Sequence, residues 1–88
     1  MNTYFLNLRL NQLILHKKQL REKRSALQYK FDEAQEYYEN EWGDPWKCGA
    51  IMGKVYPQIK YLDERIAAVN TEIRLVREKL RRHTFKPR

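Results

Sequence analysis

Residues Glu39 to Gly49 read ENEWGDPWKCG. This stretch holds both tryptophans and the only cysteine, with Tyr37 and Tyr38 just before it. Gly43 suits the position after a helix C-terminus, where left-handed backbone is cheap only for glycine. Asp44 is a good N-cap, and Pro45 fits the first turn of a helix, where its missing N–H is no loss. The stretch therefore reads as the end of one helix near Trp42, a turn at 43–44, and the start of a second helix at Pro45. So short a link makes long helices antiparallel neighbours.

The flanking sequence carries the matching pattern. Leu6, Leu13, Leu20 and Leu27 are seven apart, continued by Ala34. Leu10, Lys17, Arg24, Phe31 and Tyr38 form the companion row. After the turn, Cys48, Val55, Leu62, Val69 and Val76 make one row, and Met52, Ile59, Ile66, Ile73 and Leu80 the other. This 3-4 spacing is that of one helix packed along another. In an antiparallel pair the partner numbers add to a constant. A constant of 86 sets Leu13 against Ile73, Leu20 against Ile66, Phe31 against Val55 and Tyr38 against Cys48. Half of 86 is 43, so heptad phase and turn chemistry agree on Gly43.

The fold class expected is all-α: an antiparallel two-helix coiled-coil hairpin that dimerises into a helical bundle. Residues 1–88 form a single domain, with helices over about 3–42 and 45–83 and a basic tail over 84–88. Pro57 falls inside the second helix and weakens it, because its ring crowds the carbonyl of Gly53 and Tyr56 is biased away from helix. A kink is expected there, with a break over residues 46–56 as the alternative. Dimerisation is motivated by apolar residues outside the seam, Phe5, Leu8, Leu15 and Leu75, for which a lone hairpin has no use. Tyr38 is expected in the core. Lys17 and Arg24, at seam positions, are expected to snorkel past it and to select register.

Composition narrows the function. The chain has 88 residues, 33% charged and 42% hydrophobic, too apolar for disorder and too charged for a membrane protein. Nothing approaches the ~20 apolar residues of a membrane span. A single cysteine makes a cytoplasmic setting the default, and no leader pattern is evident. The net charge is +7. Residues 32–54 hold six acids and two lysines, a net −4, so the remainder carries +11. The rod is thus expected to have an acidic aromatic tip and a basic body.

Chemistry is not encoded in a recognisable way. His16, His83 and Cys48 fall at separate levels of the rod, Cys48-to-Lys54 lacks the phosphate-loop pattern, and a two-helix rod has no cleft. No enzyme, cofactor or metal site is expected. The expected function is that of a small non-enzymatic interaction protein. It would bind and modulate, by inhibition for instance, a protein of nucleic-acid-handling or defence machinery. The takeover proteins of phages and mobile elements are comparable in size and shape only. The partner-binding tip would be Tyr37, Trp42 and Trp46, the residue types that dominate interface energies. The alternative is direct DNA or RNA binding through a basic surface of Lys18, Arg21, Lys23, Arg74, Arg77, Arg81 and Arg82.

Overall fold

The computed structural model describes residues 3–84, so Lys86 and Arg88 of the expected basic tail lie outside the described residues. Two helices account for nearly all of it: α1, Thr3–Glu39, and α2, Pro45–Thr84. No strand occurs among the described residues. The helices fold back on each other as a hairpin. Arg9 near the start of α1 meets Glu72 near the end of α2, with Nη2 2.7 Å from Oε2. Further along, Arg24 bonds Asp63, and the Phe31 and Tyr56 rings lie 6.5 Å apart. The partner numbers add to 81, 87 and 87, against the 86 expected.

The core is a single seam. Its buried members are Leu13, Leu20 and Ala34 from α1, with Cys48, Val55, Ile59, Leu62, Val69 and Ile73 from α2. Leu10, Leu27, Ile66 and Val76 pack half-buried against them. All belong to the heptad rows. Among the described residues no side chain is sealed completely, because a two-helix rod has one buried line and no interior.

α1 ends earlier than the sequence suggests, at Glu39 and not Trp42, and five residues form the link. Its termination is a Schellman motif. Trp42 N–H donates to the Tyr37 carbonyl at 3.0 Å, and Glu41 N–H to that of Tyr38 at 3.4 Å. The residue in left-handed backbone is Glu41, at φ 58°; Gly43 has no positive φ. Gly43 sits instead where the chain passes close to its neighbours. A Cβ there would stand 3.3 Å from Cys48 Sγ and 3.5 Å from Tyr37 Cβ. The chain folds back over Cys48 at this point, and that explains a second departure. Tyr38, expected in the core against Cys48, is 52% exposed, because the link at Gly43 and not Tyr38 passes close to the buried thiol.

The start of α2 follows the sequence reading. Asp44 Oδ1 accepts the Trp46 N–H at 2.9 Å, and the Asp44 carbonyl accepts the first helical bond, from Cys48 N–H at 3.0 Å. α2 then runs unbroken through Pro57. The proline is exposed, while Val55, Ile59 and Leu62 around it are buried. Seam burial on both sides offsets the ~3 kcal/mol that an interior proline costs. Gly53, whose carbonyl the ring crowds, has no side chain to add to the conflict, and Gln58 Nε2 donates to the neighbouring Lys54 carbonyl at 3.0 Å.

Candidate interaction surfaces

At the tip, the three aromatics divide by role. Tyr37 and Trp42 are the two residues whose side chains meet across a Schellman motif, and their rings pack edge-on with centroids 6.1 Å apart. They hold the turn while remaining largely exposed. Trp46 is different. It is 87% exposed, and only its backbone N–H takes part in the cap. The link that precedes it is acidic: Glu39, Glu41 and Asp44 are all exposed.

Along the body, contacts beside the seam define two flanks. One flank carries the Arg9–Glu72 ion pair and, further along, a shallow groove of about 540 Å³ between Leu27, Ala26, Pro57 and Tyr61, bordered by Lys23. The other carries the Arg24–Asp63 and Phe31–Tyr56 contacts, with Gln28 and Lys60 beside them. Heptad translation sorts the remaining cations. Arg21 is seven before Gln28 and Lys17 seven before Arg24; Arg74, Arg77 and Arg81 lie 14, 14 and 21 after Lys60, Asp63 and Lys60. So Lys18, Arg21, Arg74, Arg77 and Arg81 share the second flank, whereas Lys23 lies on the first. Arg82 is held by Glu78 at 3.1 Å, one helical turn away.

The apolar residues proposed for self-association are all exposed, but they do not form one patch. Leu8 and Leu15 lie on the outer row of α1, opposite the seam. Phe5 and Leu75 sit at the first flank, with Tyr61 and Ala68 in the same row as Leu75.

Arg24 is the charged residue whose role sequence reasoning least anticipated. It stays at the seam, 35% exposed in its side chain, because Asp63 is within reach. Its Nη2 lies 3.4 Å from Asp63 Oδ2 while Nε bonds Oδ1. Hydrogen bonding to Asp63 raises its pKa above the ordinary arginine value, aided by the carboxylate's charge and opposed by desolvation. The signal was present, since a constant of 86 pairs Arg24 with Leu62, the neighbour of Asp63.

Among the described residues, no three His, Cys, Asp or Glu side chains converge as a metal site would require. Cys48 and His83 stand at opposite ends of α2, ~50 Å apart at 1.5 Å per residue. No helix among them is long and apolar enough to cross a membrane. Comparison with family models, curated proteins and solved structures found no match to this chain.

Proposed function

We propose that the protein is a non-enzymatic interaction module whose tip docks on a protein partner and modulates it. One observation carries this reading: Trp46 stands almost fully exposed at the tip although the fold makes no use of its ring. A large exposed aromatic beside an acidic turn is costly for solubility and useful as an interface anchor. Trp42 and Tyr37, packed on each other, supply a rigid ledge beside it. The partner's complementary surface is a basic rim around an apolar pocket, and a protein that handles nucleic acid offers such rims. The expected setting remains cytoplasmic, in keeping with a lone thiol.

The hairpin seam is proposed to be an antiparallel coiled coil, and two hairpins are proposed to associate through the apolar residues near the open end, Phe5, Leu8, Leu15 and Leu75. Their exposure supports this. Light scattering of the full chain tests it: the dimeric mass should fall to monomer in Leu8→Gln/Leu15→Gln. A wild-type monomer at micromolar concentration would sink the assembly.

The tip is tested by affinity capture from a nuclease-treated lysate with mass spectrometry. Wild type should retain a protein that Trp46→Ala does not, at unchanged helical content. If Trp46→Ala captures the same protein equally well, the tip reading fails.

A further inference from the structure

Three described arginines are tied within the hairpin: Arg9 to Glu72, Arg24 to Asp63 and Arg82 to Glu78. Lys17, Lys18, Arg21, Arg74 and Arg77 have no carboxylate partner among the described residues. These five share the second flank with Arg81. Lys17, Lys18 and Arg21 border one shallow cleft, and Arg74, Arg77 and Arg81 another. The register sets Arg74 to Arg81 beside residues 5–12 of α1, so the lysines and Arg21 continue the same row toward the middle. The row is ~24 Å long at 1.5 Å per residue. Of the carboxylates bordering it, Asp63 and Glu78 are already tied, and Glu22 lies at its edge.

We propose that this flank is a second, independent site that binds the phosphate backbone of double-stranded nucleic acid without reading sequence. Duplex is favoured over single strand by chemistry. Unpaired bases are held by stacking on aromatic rings, and the exposed aromatics of this flank, Tyr4 and Tyr56, lie beyond the two ends of the row, with none between Lys17 and Arg21 or between Arg74 and Arg81. A straight row of cations instead matches the regular phosphates of a duplex, about one charge per 1.7 Å of axis. Base readout is excluded by size. The rod is 17 by 16 Å in section, wider than the roughly 12 Å major groove that admits a single helix. The rod lies along the phosphates, and the opposite flank, with its apolar Tyr61, Ala68 and Leu75, stays free.

The test is binding of the full-length protein to a labelled 30-base-pair DNA duplex, the same RNA duplex, and the single strand, across salt. Six phosphate contacts predict a log–log salt slope of about −5, hence roughly a thousandfold loss of affinity from 50 to 200 mM salt. Both duplexes should bind more tightly than the single strand; which duplex binds better distinguishes DNA from RNA as the source of the phosphates. Lys18→Gln/Arg21→Gln/Arg74→Gln/Arg77→Gln should bring the slope to about −2 and weaken binding roughly a hundredfold at low salt. Lys23→Gln/Lys30→Gln/Arg65→Gln/Lys79→Gln removes equal charge from the other flank and should cost less than about tenfold. Arg77→Gln alone, which changes no seam contact, should lower the slope by about 1. Equal losses in the two quadruple variants, tighter binding of the single strand, or no duplex binding overturns the proposal. Loss of Trp46 should leave duplex binding unchanged, which separates this site from the tip.

Discussion

Glu41→Gly should stabilise the protein, and the sign of the effect is diagnostic. Glu41 occupies left-handed backbone at φ 58°. For a residue with a Cβ that conformation costs about 1–2 kcal/mol. Glycine removes the strain but gives the unfolded chain more freedom, a loss of about 0.5–1 kcal/mol. Removing a carboxylate from the C-terminal end of α1 adds a few tenths. The net expectation is a gain of about 0.5–1 kcal/mol, partly cancelling terms included. Had α1 run on to Trp42 with Gly43 as its left-handed residue, the same substitution would have put glycine inside a helix and cost about 0.5–1 kcal/mol. Urea titration followed by circular dichroism at fixed protein concentration distinguishes the two. With a urea m-value of about 1 kcal/mol per molar, the midpoint should rise by about 0.5–1 M at unchanged slope. Glu41→Gln, which removes charge alone, should shift it far less. A lower midpoint for Glu41→Gly would falsify the assignment of Glu41 as the left-handed residue.

Pro57→Ala should restore the helical N–H to the Gly53 carbonyl and raise stability by about 1–3 kcal/mol, read from the same titration; a loss would mean that the proline is required by the packing around Val55 and Ile59. A double-mutant cycle on Arg24→Ala and Asp63→Ala should give a coupling of only about 0.5–1 kcal/mol, because the two side chains are 35% and 50% exposed. Because the Arg24 pKa is raised, its contribution is full below the ordinary arginine value and is lost only above it, in strong alkali, so Arg24 itself should add no slope to stability between pH 5 and 9. Trp42→Ala should cost about 0.5–1.5 kcal/mol through its packing on Tyr37, whereas Trp46→Ala should stay within about 0.5 kcal/mol of wild type; equal losses would remove the distinction between a structural and a presented tryptophan.

Much of the hairpin was legible in order along the chain. Periodicity alone selected the buried rows, since each seam residue from Cys48 to Leu80 reappears buried or half-buried. Asp44 and Pro45 marked the start of α2 because N-capping is local: one side chain and the next two residues suffice. The ending of α1 was not local in that way. Which residue turns left-handed depends on where the chain must cross to bring Cys48 into the seam, and that crossing put the strain on Glu41 and the close approach on Gly43. Tyr38 lost its expected core place for the same reason.

The candidate surfaces divide along the same line. Their composition, an acidic aromatic tip and a cationic body, is a property of the sequence. Their partition is not. Arg9, Arg24 and Arg82 look like the other arginines until the facing helix supplies Glu72 and Asp63, and the next turn Glu78. The sequence by itself therefore determined two helices, their buried rows and their approximate register, because each is written in repeats of three and four residues. Only the tertiary structure decided which residue bears the turn's strain, which tryptophan the fold leaves unused, and which cations remain without a partner, because each depends on atoms brought together from opposite helices.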